Sequence, residues 1–130
     1  TGMDPFKTHG AFSWCELDTP DPKAAVSFYS ELFGWTVEKM DMPDGPYHVL
    51  KAGDASVGGV MASPPEAKGK PPMWNCYVTV DDIDATAKRC ASLGGKVLAG
   101  PLDIPTVGRM AVMQDPQGAV LSAITYKMDD

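Results

Sequence analysis

The sequence predicts an α+β fold of two tandem β-α-β-β-β modules, whose strands form a curled mixed sheet, a half-barrel with a central pocket. Three observations predict it. A chain of 130 residues, 44% hydrophobic and 22% charged, suits one core and is too short for two sizeable ones. A shift of 61 residues carries Cys15 onto Cys76, Asp21 onto Asp82, Leu32 onto Leu93, Gly34 onto Gly95 and Asp54 onto Asp115 without a gap. The same order of strand, capped helix, strand and hairpin is readable on both sides of a Pro-rich connector, and such internal repetition decides a fold before any local reading does.

Each element has its own signal. Phe12 to Leu17 is a strand-like run that stops at Thr19-Pro20-Asp21-Pro22, where Asp as N-cap and Pro at the first helical position open a helix. Ala25, Phe28, Tyr29, Leu32 and Phe33 recur at helical spacing, and Gly34 closes the segment. Trp35 to Glu38 follows as a strand, then Tyr47 to Lys51 and Val57 to Ala62 make a hairpin about Gly53-Asp54. The second half repeats the order: strand Trp74 to Val80, helix Ile83 to Leu93 after Asp81-Asp82, the stop Gly94-Gly95, and strand Lys96 to Ala99. Arg109 to Met113 and Ala119 to Ile124 complete it around Asp115-Pro116-Gln117-Gly118. Residues 1–8 read as a leader of vector-like appearance, and residues 9–126 as a single domain. Within it, module one is 9–63, the exposed, semi-rigid connector 64–72, and module two 73–126.

Composition excludes several classes of function. A formal charge of −6 with no basic run leaves no electrostatic footprint for nucleic acid. No apolar stretch approaches the length of a membrane span, and the N-terminus lacks the order of a secretion signal, so a cytoplasmic location is expected. Cys15, Cys76 and Cys90 lie in apolar segments without zinc-type spacing and read as reduced, buried thiols.

The tandem modules resemble the vicinal oxygen chelate superfamily of glyoxalase I, extradiol dioxygenases and bleomycin-resistance proteins. The pieces that carry the likeness are Glu16-Leu17-Asp18-Thr19-Pro20-Asp21, Phe28-Tyr29-Ser30-Glu31-Leu32-Phe33-Gly34-Trp35, Val80-Asp81-Asp82-Ile83-Asp84 and Asp115-Pro116-Gln117-Gly118. The wording is most similar to small bacterial glyoxalase-like proteins. The resemblance implies a pocket on the concave face, a homodimer and, in metal-using members, ligands on the first and last strands of each module. Counting from the Asp landmarks puts those positions at Trp14, Asn75 and Ser122, with Met61 as the partner of Ser122 under the shift of 61. Trp, Met, Asn and Ser do not make a divalent-metal set, since an indole offers no lone pair. No metal or other cofactor is therefore expected.

Strand alternation then decides what the concave face carries. If Trp14 points inward, so do Glu16, Asn75 and Tyr77, while Cys15, Leu17, Cys76 and Val78 face the helices. These residues either line an open pocket or plug it. Glu16, costly to bury without a partner, and His48 are the acid–base candidates. Arg109 is the equivalent of His48 under the shift and a candidate salt partner for Glu16. The expected ligand-binding set is thus Trp14, Glu16, Met61, Asn75, Tyr77, Arg109 and Ser122. Two functions fit it: a metal-free binding protein for an aromatic or amphipathic molecule stacked on Trp14, Tyr77 or Trp74, or an enzyme acting on a small carbonyl or aromatic compound with Glu16 or His48 as acid or base. A structural module with a filled barrel is the third.

Overall fold

The computed structural model describes residues 3–43, 45–65 and 69–127. Thr1 and Gly2 of the expected leader, and Glu66 to Lys68 of the expected connector, lie outside them. Each module is built as the sequence predicts. In the first, strand β1 (Phe12–Thr19) leads to helix α1 (Pro22–Phe33), then β2 (Thr36–Met42), β3 (Gly45–Ala52) and β4 (Ala55–Ala62). In the second, β5 (Met73–Thr79) leads to α2 (Ile83–Ser92), then β6 (Lys96–Ile104), β7 (Gly108–Gln114) and β8 (Val120–Tyr126).

Both helices begin as their caps dictate. The side chain of Asp21 accepts from the Ala24 amide at 3.1 Å, with Pro22 at the first position, and that of Asp82 accepts from Ala85 at 3.1 Å. Helix α1 ends at Gly34, whose φ of 74° is a left-handed conformation that glycine adopts without strain. Each module has a mixed sheet of the same order, β2-β3-β4-β1 in the first and β6-β7-β8-β5 in the second. The first strand runs parallel to the last, β1 to β4 and β5 to β8, and the remaining pairs are antiparallel.

The chain forms two compact units whose limits cut inside strands. Trp14–Asn75 is one; Cys76 onward, with the residues up to Ser13, is the other. In the second unit Gly10 and Ala11 exchange backbone hydrogen bonds with Thr79, Ser13 Oγ lies 2.7 Å from Tyr126 Oη, and the Thr79 hydroxyl donates to the Pro5 carbonyl. Phe6 also meets Tyr126 edge-on, ring centroids 5.1 Å apart. The segment set aside as a leader thus packs on the second unit from Pro5 onward.

One face of each sheet carries a core beneath its helix. In the first unit Leu17, Leu50 and Val60 are buried against Ala25, Val26 and Tyr29 of α1 and against Trp35 and Val37. In the second, Val80, Ile83, Ala111, Met113 and Ala123 form the equivalent cluster. The apolar stripe of α1 is wider than the face it buries: Phe28, Leu32 and Phe33 remain 57–60% exposed. The cysteines are less enclosed than expected of buried thiols: Cys15 and Cys76 are exposed and Cys90 half-buried. Cys15 faces the helix side but opens onto a cavity rather than onto the core.

Candidate functional site

The face of the first sheet opposite α1 gathers the polar residues that alternation assigns to it. In register, Glu16 stands beside Gly59, Asp18 beside Met61, and Met61 in turn beside Tyr47. Tyr47 reaches across the bare backbone of Gly59, where any Cβ would collide with its ring. Its hydroxyl accepts a hydrogen bond from Trp14 Nε1 at 2.8 Å and donates one to Glu16 Oε2 at 2.8 Å. Two residues further along β1, Asp18 Oδ2 accepts from Asn75 Nδ2 at 3.0 Å, while Oδ1 is buried without a donor. Burial pushes the Asp18 carboxyl above its usual range, and hydrogen bonds with Glu16 and Asn75 oppose that shift. Trp14, Glu16, Asp18 and Tyr47 are all half-buried. Of the expected residues, Trp14, Glu16, Asn75 and Met61 therefore lie in one unit with hydrogen bonds or strand pairing linking their surroundings. Tyr47 and Asp18 were missed.

His48 is not among them. It pairs with Val60 and so faces the helix side with the core, opposite Glu16. Arg109 is likewise on the helix side of its own sheet, where Nε and Nη2 donate to the two carboxylate oxygens of Asp84 on α2, each at 3.0 Å, and Nη1 to Asp103 at 3.2 Å. That fork engages Arg109 with α2 and β6, and it holds the Asp84 carboxyl below its usual range. Tyr77 and Ser122 stand side by side in register, 8% and 3% exposed, as parts of a filled face. Trp74 packs on Tyr29 and Trp35, ring centroids 5.3 and 6.4 Å away, and belongs to the helix side of the first unit. There it borders an apolar cavity of about 530 Å³ with Cys15, Tyr29, Phe33, Trp35 and Val57.

The strand register corrects two equivalences. Glu16 pairs with Gly59, whereas Tyr77, its counterpart 61 residues on, pairs with Ser122. The last two strands of the modules are therefore related by 63 residues, and the counterpart of Ser122 is Gly59, not Met61. By the same offset His48 corresponds to Ala111, not Arg109. An indole, an amide, a hydroxyl and a glycine supply no donor set for a divalent cation, and a thioether in place of the glycine would not change that. Among the described residues no three His, Cys, Asp or Glu side chains are grouped closely enough to hold an ion.

This architecture, two β-α-β-β-β modules in each of which the first strand runs parallel to the last, defines a class, and comparison with known proteins identifies it. The chain belongs to the Glyoxalase/Bleomycin resistance protein/Dioxygenase superfamily, whose model matches residues 11–122. It is 49% identical over 116 residues to CFP32 of Mycobacterium tuberculosis (strain CDC 1551 / Oshkosh), named as a glyoxylase, covering 88% of this chain and 44% of that one. It is 32% identical over 126 residues to the anthracycline biosynthesis protein DnrV of Streptomyces peucetius, covering 87% and 46%. The chain thus spans about half the length of these relatives. Methylmalonyl-CoA epimerase from Mycobacterium tuberculosis shares the fold, with a TM-score of 0.71 at 14% identity over 94% of this chain and 92% of that one.

Proposed function

We propose that this chain binds a small, planar aromatic or amphipathic molecule on the Trp14 face of its first unit and does so without a resident metal. The observation that carries the reading is the hydrogen-bonded series Trp14–Tyr47–Glu16, which sets an indole face for stacking beside a carboxyl for anchoring. The name of DnrV supports the ligand class, since an anthracycline is a fused aromatic bearing ketone and phenol oxygens. Among the described residues no helix is long and apolar enough to cross a membrane, and a cytoplasmic location belongs to the reading. So does a homodimer, which would cover the exposed Phe28, Leu32 and Phe33 of α1.

A second reading, an enzyme moving a proton on a small carbonyl or aromatic compound, is favoured by the placement of two carboxyls, Glu16 and Asp18, on this face. His48, turned to the other face, takes no part in it.

Elemental analysis after dialysis and calorimetry with 1-naphthol as probe test the binding reading. Less than a tenth of a metal ion per chain, on the order expected of adventitious binding to an incomplete donor set, and a naphthol heat lost in Trp14→Ala with only a mild change in melting are expected. One tightly held metal per chain, released by substitution of Glu16, refutes it. So does a Trp14→Ala variant that loses the roughly 3–5 kcal/mol typical of an emptied core position, because Trp14 would then be a plug. A monomer of 13.8 kDa in sedimentation refutes the dimer.

A further inference from the structure

We propose that the second unit carries a binding site of its own for a small neutral amide bearing an aromatic ring, and that Pro5 and Phe6 of this chain occupy it as an internal ligand. The site lies on the face of the second sheet turned away from α2. Thr79 pairs with Ile124, and Tyr126 stands two residues further along β8, so both point away from the core of Val80, Ala111 and Ala123.

The segment that reaches this face belongs to neither module. It lies ahead of β1, where Asp4 closes a single helical turn, Pro5–Lys7, by accepting from the Phe6 amide at 3.0 Å. That turn delivers two groups side by side. The Pro5 carbonyl accepts from the Thr79 hydroxyl at 2.7 Å. The Phe6 ring meets Tyr126 at 5.1 Å between centroids and 76° between planes, the edge-on arrangement that aromatic pairs favour. Tyr126 is itself held in place, its Oη 2.7 Å from Ser13 Oγ. Thr79 is only 4% exposed, and a hydroxyl so enclosed needs an acceptor, which any occupant of this place must bring. An acyl oxygen followed by a benzyl group is therefore the chemistry the face takes. The rest of the segment is fastened separately. Gly10 donates to the Thr79 carbonyl at 2.7 Å, the Thr79 amide donates to the Ala11 carbonyl at 2.8 Å, and His9 Nδ1 accepts from the Asp81 amide at 3.0 Å. The turn can thus leave the face while the pairing of residues 9–11 stays.

Amide and indole NMR of the whole chain, titrated with N-acetyl-L-phenylalaninamide, tests the site. In the unaltered chain the compound competes with Pro5–Phe6, and its apparent affinity falls with the fraction of molecules whose turn is closed. Phe6→Ala removes the competing ring and is expected to bind the compound roughly three- to tenfold more tightly than the unaltered chain, the worth of one aromatic pair. The shifts are expected at Thr79 and Tyr126 and not at the Trp14 indole. Thr79→Val in the Phe6→Ala chain is expected to abolish the gain while the amide pattern of β5 persists. If Phe6→Ala fails to fold, Asp4→Ala, at an exposed position, opens the turn instead and is expected to show the same gain. No binding to the altered chains, affinities equal to that of the unaltered chain, shifts confined to the Trp14 indole, or a gain that survives Thr79→Val each overturn the proposal. The site stands in the second unit, so none of these results bears on the Trp14 face except a shift of its indole.

Discussion

Replacing Gly59 with Ala adds one methyl group at the point where Tyr47 crosses β4, and its consequence can be worked out from the surroundings. Gly59 is not in a left-handed conformation, so its backbone accepts an L side chain. The new Cβ would overlap the Oη, Cζ and Cε1 atoms of Tyr47, and the ring has to leave. In leaving it gives up the bonds to Trp14 Nε1 and to Glu16, one neutral and one to an acid. Such bonds are worth about 0.5–1.5 and 1.5–3 kcal/mol, and half-burial favours the lower end of both. Alanine returns roughly 0.5–1 kcal/mol by restricting the unfolded chain relative to glycine in a strand. The net cost is therefore about 1–2.5 kcal/mol, read as a shifted midpoint in urea with unchanged slope. The same substitution in a Tyr47→Ala background meets no ring and is expected to cost nothing or to stabilise. Equal costs in the two backgrounds would refute the account, because non-additivity is what a shared clash requires. Gly58→Ala is the contrast: its Cβ would strike the Cys15 carbonyl of the neighbouring strand, which no side-chain rotation relieves, so Tyr47→Ala should not rescue it.

Three further outcomes can be measured on the same preparations. Leu50→Ala, at a position 1% exposed in the first core, is expected to cost about 2–5 kcal/mol in a denaturant melt. Because the folded Asp18 holds its proton more tightly than an ordinary aspartate, whose pKa is 3.8, the stability it contributes is complete below that pH and is lost as pH rises through the raised folded value. Asp18→Asn should therefore gain on the unaltered chain as melts are taken from acid toward neutral pH, and a constant difference would contradict the burial of that acid. Asp84 has the opposite sign: held below 3.8 by Arg109, it adds stability above that pH and loses it as pH falls through the lowered value. The deficit of Arg109→Gln should accordingly be present at neutral pH and vanish in acid, which a series of thermal melts will show.

The order of elements was legible because each local signal agreed with the next. Asp21 with Pro22 and Asp82 fixed the helix starts, Gly34 fixed an end, and the repeat fixed the topology. Alternation from Trp14 also puts Glu16 on one face of β1, and the register of Glu16 with Gly59 and of Asp18 with Met61 agrees with it. Three things were not legible. The offset of 63 in the last strands was hidden by identities that continue at 61, such as Ala62 with Ala123, although pairing sets the counterpart of Ala123 at Val60. Arg109 had ambiguous parity on a short strand, and only the register with Thr125 turns it toward α2. Tyr47 gave no signal because its role depends on a glycine one strand away. Asp18 could have been found: alternation from Trp14 through Glu16 arrives at it, and an acid at that position has the same difficulty with burial as Glu16.

The corrected equivalence explains why the two modules, alike in topology, carry different faces. Position by position, Glu16 becomes Tyr77, Asp18 becomes Thr79, Tyr47 becomes Met110, Gly59 becomes Ser122 and Met61 becomes Ile124. Every one of these second-module residues is buried, between 3% and 8% exposed. Their first-module counterparts include two acids and a tyrosine that stay half-buried. A carboxyl is costly to bury unless it is paired, protonated or reached by solvent, so a face with Glu16 and Asp18 resists the close packing that Thr79, Met110 and Ile124 permit. The glycine in the first module gives Tyr47 a path to those acids; the serine in the second closes the corresponding space beside Tyr77. A single exchange therefore tests whether the glycine keeps the first face open. Gly59→Ser, which places in module one the residue that module two carries, should displace Tyr47 and abolish the naphthol heat while the core of Leu17, Leu50 and Val60 still forms. If the heat survives with Tyr47 displaced, the ligand is not held by the Trp14–Tyr47–Glu16 series.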